Sequence, residues 1–86
     1  MNTELKKMYS AFRKELMAQV LEKDIVNIYY YNGKEVEKIV ISDEDYLENY
    51  KPSQLKFKSL GFIIQEGPIR SVWYNYSNII KIEVFG

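Results

Sequence analysis

Residues 25–33 read Ile25-Val26-Asn27-Ile28-Tyr29-Tyr30-Tyr31-Asn32-Gly33, and residues 34–42 continue Lys34-Glu35-Val36-Glu37-Lys38-Ile39-Val40-Ile41-Ser42. Both runs are rich in the β-branched and aromatic residues that favour strands. The Asn32-Gly33 dipeptide between them favours the positive φ angles of a type I′ turn. The segment therefore predicts an antiparallel hairpin with strands over 25–31 and 34–42.

An amphipathic helix is predicted before the hairpin, over residues 3–23. Its apolar stripe has spacings of three and four, and Tyr9 widens it. The stripe consists of Leu5, Met8, Phe12, Leu16 and Val20. Thr3 is a candidate N-cap, and no glycine or proline interrupts the segment.

Three further strands are predicted after the hairpin, over 55–65 with Gly61 at a bulge or bend, over 69–76 and over 79–85. The polar stretch 43–54 fits a loop or a short helical turn equally well. Five short antiparallel strands with one buried face usually close into a barrel, because closure hides the strand edges. We therefore expect one α+β domain over 1–86, in which the helix over 3–23 precedes a five-stranded antiparallel small β-barrel over 25–85.

The order of a helix and five strands resembles the Sm-like and SH3-like small barrels. The matching pattern is Val26-x-Ile28-x-Tyr30-x-Asn32-Gly33, followed by Val40 and the acidic run at Asp43–Asp45. Residues 76–84 look like the last turn and strand of such barrels, and are also similar to the closing segment of YolD-like small bacterial proteins. The second glycine of the first Sm motif falls at Lys38, and the basic–glycine pair of the second motif is absent before Ser77. The resemblance thus implies the architecture and a tendency to form rings, but not the RNA site of the family.

Composition narrows the classes of function. The 86 residues carry twelve basic and twelve acidic side chains, so the formal net charge is zero, whereas duplex-DNA binders usually have a basic excess. Cysteine and histidine are both absent, which excludes disulfides and removes the commonest general base and transition-metal ligand. The apolar runs are too short to span a bilayer, and the N-terminus does not resemble a secretory signal. We expect a cytoplasmic protein that uses neither duplex DNA nor a membrane.

Catalytic or metal-binding roles have little support in the sequence. The acidic residues Asp43, Glu44, Asp45 and Glu48 could hold a divalent cation, but their spacing matches no calcium loop and a solvated loop explains them better. Six serines lack a histidine to activate them, and no glycine-rich phosphate loop occurs. We expect a protein that is not an enzyme and has no cofactor.

Aromatic side chains are the feature most indicative of function. They make up 15% of the residues, more than a core of this size can bury. Side chains alternate along a strand, so Tyr29 and Tyr31 face away from Tyr30, and two or three rings should stay accessible. Clustered exposed aromatics mark binding surfaces. The candidate contact residues are Tyr29, Tyr31, Trp73 and Tyr76, with positive charge from Arg70, Lys56 and Lys58.

Three uses of this surface compete: a subunit interface, recognition of another protein, and stacking on single-stranded RNA or a nucleotide. A solvated sheet face is an equally simple account of the lysines. The leading hypothesis is a homo-oligomeric accessory or regulatory binding module for a macromolecule, either protein or single-stranded RNA. The alternatives are a phage-type inhibitor or sponge that blocks a host enzyme or sequesters a nucleotide signal, and a structural assembly protein.

Overall fold

The computed structural model describes residues 3–43 and 49–86, apart from the side chains of residues 3, 5 and 6. Its elements are α1 (Thr3–Glu22), β1 (Ile25–Tyr31), β2 (Val36–Ser42), β3 (Leu55–Phe57), β4 (Gly61–Gln65), β5 (Ser71–Asn75) and β6 (Ile79–Phe85). The α+β class and the N-terminal helix are confirmed. Within the stretch 43–54, for which a loop or a short helical turn was expected, residues 44–48 lie outside the described residues, and Pro52–Gln54 form one turn of 3-10 helix.

The first hairpin is confirmed, but its second strand begins at Val36 rather than Lys34 and its turn differs from the prediction. Strands β1 and β2 pair antiparallel from Ile25↔Ser42 to Tyr31↔Val36, which leaves a four-residue loop. The side-chain oxygen of Asn32 accepts hydrogen bonds from the backbone N–H groups of Lys34 and Glu35, at 2.9 and 3.0 Å. No non-glycine residue in the described ranges has a positive φ angle, so the prediction of a type I′ turn is wrong. The asparagine side chain shapes this turn instead.

The predicted closed five-stranded barrel is wrong, because the chain reverses within the segment 55–65. Lys58 N–H donates to Gly61 O at 2.8 Å, so β3 and β4 form a hairpin rather than one long strand. The six described strands form two three-stranded antiparallel sheets, sheet A in the order β2-β1-β6 and sheet B in the order β3-β4-β5. No described strand of one sheet pairs with a strand of the other, and such pairing is what would close a barrel.

The core lies between the inner faces of the two sheets and the helix. Strand β1 contributes Val26, Ile28 and Tyr30, which alternate with partly exposed residues. From sheet B, Phe62 and Ile64 are fully buried. The helix buries Leu16 and Val20 as the apolar stripe predicts, with Tyr9 and Phe12 packed against the core, but it leaves Met8 exposed. The buried stripe is therefore narrower than the sequence pattern indicates.

Aromatic rings join the two sheets. The Tyr30 ring of sheet A meets the Tyr74 ring of sheet B edge to face, with ring centroids 5.0 Å apart. Tyr74 also stacks on Phe62 at 5.1 Å. The backbone N–H of Asn75 donates to the Tyr30 hydroxyl at 3.3 Å. Edge-to-face and offset ring pairs add stability beyond that gained from the apolar area they bury. This contact therefore fixes one sheet against the other.

The helix is attached to this junction through Tyr76. The Tyr76 ring lies 5.1 Å from the Phe12 ring and 5.9 Å from the Tyr9 ring. Its hydroxyl donates to Lys58 O at 2.7 Å, while its backbone N–H donates to Leu60 O. Tyr76 therefore holds both the helix and the β3–β4 turn.

Gly61 is required by its close approach to the neighbouring strand. A Cβ added to Gly61 would lie 2.1 Å from the backbone oxygen of Tyr74 and 2.9 Å from the Trp73 ring. We predict that Gly61→Ala lowers the free energy of unfolding by about 3 kcal/mol or prevents folding, because backbone atoms cannot yield to the added methyl group. Urea unfolding followed by circular dichroism measures the change.

Gly67→Ala is the matched control. Gly67 has a positive φ of 92°, but an added Cβ would have free space around it. The substitution should therefore lower the free energy of unfolding by only about 1–2 kcal/mol, the cost of a left-handed backbone for alanine. Equal losses for the two variants would contradict the steric account of Gly61.

Candidate binding surface

The outer face of sheet B presents one aromatic ring in a central cross-strand row. Phe62, Ile64 and Tyr74 point into the core, so the alternate residues of β4 and β5 face outward. The central outward row runs across the three strands as Lys56↔Ile63↔Trp73. We call these three residues the Trp73 face. Trp73 is 43% exposed, and Lys56 is exposed beside it.

Two local contacts hold the Trp73 ring in place. Its indole N–H donates to the side-chain oxygen of Asn75 at 2.7 Å. The ring also lies against Gly61, where the missing side chain leaves room for it. An exposed ring with a fixed orientation loses little conformational entropy when a ligand stacks on it.

The segment that contains sheet B has a net positive charge. Residues 49–78 contain four basic side chains and Glu66 as the sole acid, so the remaining residues hold eight basic and eleven acidic side chains. Lys58 lies in the β3–β4 turn and Arg70 in the β4–β5 turn, at opposite ends of β4. Of the predicted basic residues, Lys56 lies within the Trp73 face, and Lys58 and Arg70 lie in the turns at the two ends of β4. Arg70 Nε is 3.4 Å from Glu66 Oε2, in an ion pair whose carboxylate is half-buried.

The predicted tyrosines lie on the other sheet. Tyr29 and Tyr31 face outward from sheet A, as the alternation predicts, and Tyr31 is 45% exposed. The Tyr29 hydroxyl donates to Glu83 at 2.7 Å, and Lys81 Nζ lies 4.8 Å from the centre of its ring. The hydrogen bond to Glu83 raises the pKa of Tyr29 and lowers the pKa of Glu83. The Tyr29 ring already contacts a cation, which makes it a poorer stacking surface than Trp73.

Tyr76 does not join the exposed rings. It is 4% exposed and lies in the core between the helix and sheet B. The structure therefore divides the seven candidate residues into three places. Trp73 and Lys56 meet on one face with Lys58 and Arg70 at its ends, Tyr29 and Tyr31 lie on sheet A, and Tyr76 is a core residue.

A further feature, which the sequence pattern did not indicate, is an apolar groove between α1 and β6. It encloses about 230 Å³ and is lined by Phe12, Glu15, Leu16, Gln19, Ile82 and Val84. The groove exists because α1 packs on the inner face of sheet A without covering all of β6. Only the packed structure brings residues 12–19 beside residues 82–84.

The described residues contain neither a metal-ligand cluster nor a membrane-spanning helix. Within residues 3–43 and 49–86, no three histidine, cysteine, aspartate or glutamate side chains come together as a metal site. Of the proposed acidic cluster, Asp43 is described and exposed, and the other three residues lie outside the described ranges. The described helix is not long and apolar enough to cross a bilayer.

The chain matches no protein-family model, no curated protein and no solved structure. The geometry of its surfaces therefore has to support any functional conclusion.

Tyr50 adds a pH-sensitive contact at the edge of sheet B. Its hydroxyl donates to Glu66 at 2.6 Å, and this hydrogen bond is the main reason why the pKa of Tyr50 rises to about 12. Burial is the main reason for a similar rise in the pKa of Tyr74 to about 12. Both rings are thus protonated in the folded protein at pH values where a free tyrosine ionises.

We predict that stability falls between pH 10 and pH 12. A pKa raised by folding contributes stability that is fully present below the unfolded value, about 10, and is lost as pH rises through the folded value. Tyr50→Phe should make this loss less steep without abolishing it, because Tyr74 remains. Urea unfolding at a series of pH values, with ultraviolet titration of tyrosinate, measures the effect. If the free energy of unfolding of Tyr50→Phe depends on pH in the same way as that of the unmodified chain, the Tyr50–Glu66 contact does not have this role.

Proposed function

We propose that this protein is a non-enzymatic binding module that takes single-stranded RNA on its Trp73 face. The observation that supports this most directly is the fixed, exposed indole ring of Trp73, which shares its outward row with the exposed Lys56. The proposal has two physical parts, stacking of a base on the ring and attraction of phosphates by the surrounding cations.

Stacking explains why the ring faces outward. The exposed part of the indole is a flat apolar surface, and covering it with a base is favourable. Base–aromatic stacking contributes about 1–3 kcal/mol per base and needs no particular sequence. Gly61 and Asn75 hold the ring of Trp73 in place, so a base meets a surface that is already ordered.

Electrostatics explains how the rest of the strand is held. Lys58 and Arg70 lie beyond the two ends of a five-residue strand, roughly 17 Å in length, with Lys56 between them. A flexible phosphate backbone that crosses the Trp73 face can approach all three cations. A zero net charge and only four basic residues in this region suit a short single strand better than a duplex.

The polar border of the Trp73 face favours nucleic acid over a protein partner. Gln65, Ser71 and Asn75 lie in the outward rows on either side of the central row. The buried centres of protein interfaces are depleted in charged groups, whereas here Lys56 shares the row with Trp73. Hydrogen-bonding side chains beside an aromatic ring suit the edges of an unpaired base.

A non-enzymatic role is consistent with the residue inventory. The sequence has no histidine or cysteine, and no described group of carboxylates forms a metal site. The Trp73 face has one aromatic ring and one cation, Lys56, but no nucleophile paired with a base.

The test is binding of a fluorescently labelled uridine dodecamer, followed by polarisation at several salt concentrations. We expect Trp73→Ala to weaken binding by about ten- to hundredfold, as expected for one lost stacking contact. Lys56→Glu should also weaken binding. It should reduce the slope of log affinity against log salt concentration by roughly 0.7, the value for one lost phosphate contact with a single strand.

The matched controls lie on sheet A. Tyr31→Ala removes a similarly exposed ring, and Lys38→Glu reverses a similarly exposed strand lysine, so neither should change affinity more than about twofold beyond experimental error. If Trp73→Ala binds the dodecamer as tightly as the unmodified chain, the proposed function is wrong.

A further inference from the structure

Strand β6 ends sheet A with an open edge. It pairs with β1 on one side, and no other strand in the described part of the chain pairs with its second side. Ile80 is 57% exposed on this strand, and Val84 and Phe85 are also exposed. An apolar edge strand of seven residues without proline readily pairs with another strand.

The sequence of β6 is complementary to itself. It reads Ile79-Ile80-Lys81-Ile82-Glu83-Val84-Phe85. Against β1 the strand has a bulge at Ile80, because Tyr29 pairs with Lys81 and Tyr30 with Ile79, so residues 81–85 form its regular part. In an antiparallel pair of two such strands centred on Ile82, Lys81 lies opposite Glu83 of the second strand. The pair therefore has two Lys81–Glu83 contacts, one on each side of the facing Ile82 residues.

The sheet places these charges on the correct face for such a pair. Lys81 and Glu83 pair with Tyr29 and Asn27 of β1, so both point to the outer face. Residues opposite each other across an antiparallel pair share a face, so Lys81 of one copy can reach Glu83 of the other. Within one chain, Lys81 Nζ and Glu83 Oε2 are 3.9 Å apart, and Glu83 also accepts the hydrogen bond from Tyr29. Both side chains are partly exposed on the outer face, where a second strand can approach them.

The groove between α1 and β6 lies on the inner face of the same edge strand. Ile82 and Val84 line it, together with Phe12 and Leu16 of the helix. The pairing centred on Ile82 brings the bulged, exposed Ile80 of the second copy next to Val84, which lines the groove. One surface, consisting of the β6 edge and the α1–β6 groove, thus offers hydrogen bonds, charge pairs and an apolar recess to the same occupant.

We propose that the β6 edge is a two-fold symmetric dimerisation surface whose occupant is β6 of a second copy of this chain. The dimer joins two copies of sheet A into one six-stranded sheet in the order β2-β1-β6-β6-β1-β2. A symmetric interface needs a self-complementary patch, and β6 is one. The Trp73 face lies on the outer side of sheet B, away from the β6 edge. Dimer formation therefore does not depend on RNA binding, and an experiment can contradict one proposal without affecting the other.

Charge reversal tests the pairing through sedimentation velocity. Lys81→Glu places two carboxylates opposite each other at both charge pairs of the dimer, and Glu83→Lys places two ammonium groups opposite each other there. Each single variant should raise the dimer dissociation constant about tenfold or more. The double variant Lys81→Glu, Glu83→Lys restores opposite charges and should dimerise like the unmodified chain.

Mixing the two single variants gives the sharpest result. In a dimer of one variant, residues 81 and 83 have the same charge, so like charges face each other at both contacts. In a mixed dimer, the Lys81→Glu copy has two acidic residues at these positions, and they face the two lysines of the Glu83→Lys copy. An equimolar mixture should therefore form a heterodimer at concentrations where each variant alone is a monomer. Lys38→Glu, on β2 of the same sheet, is the control that should not alter dimerisation. Circular dichroism checks that every variant is folded.

A cysteine placed on the axis provides a second measurement. The chain has no cysteine, so Ile82→Cys introduces a single thiol. Facing residues of an antiparallel pair have Cα atoms about 4.5–5.5 Å apart, within reach of a disulfide. Mild oxidation should cross-link Ile82→Cys rapidly and the exposed Val36→Cys slowly. A folded chain that stays monomeric at all concentrations, or two single variants that fail to associate when mixed, would overturn the proposal, whatever the result with RNA.

Discussion

The contact between Tyr30 and Tyr74 is the interaction on which the rest of this structure depends. The described strands of sheet A and sheet B share no ladder of backbone hydrogen bonds, so side chains must hold one sheet against the other. The edge-to-face rings and the hydrogen bond from Asn75 N–H to the Tyr30 hydroxyl do this directly. Phe62 stacks on Tyr74, and Tyr76 continues the cluster to the helix. A core of this size gains much of its stability from such rings.

The same contact determines which residues are available to a ligand. Side chains alternate along a strand, so burying Tyr30 turns Tyr29 and Tyr31 outward, and burying Tyr74 turns Trp73 outward. The two outward faces then differ in chemistry. On sheet A, the tyrosines interact with Lys81, Glu83 and the hairpin loop. On sheet B, the indole shares its outward row with Lys56, which is why we propose the RNA site there.

The division into two open sheets has a consequence for association. A closed barrel would pair every strand on both sides, whereas this arrangement leaves β6 with a free edge. The helix covers the inner face of sheet A only in part, so the free edge lies next to an apolar groove. The surface proposed for dimerisation and the surface proposed for RNA therefore lie on different sheets, and one can be occupied without blocking the other.

Local patterns in the sequence were enough to predict α1, the β1–β2 hairpin, the last strand and the outward direction of Tyr29, Tyr31 and Trp73, because helix and strand periodicity depend only on neighbouring residues. The turn at Lys58-Ser59-Leu60 was missed because it contains no glycine, proline or asparagine. It is held by Tyr76, eighteen residues further along the chain. The burial of Tyr76, the grouping of Trp73 with Lys56 and the α1–β6 groove were decided by tertiary structure alone. Each depends on which distant elements pack together, and that choice is made by the shapes of side chains in the core rather than by the pattern along any one segment.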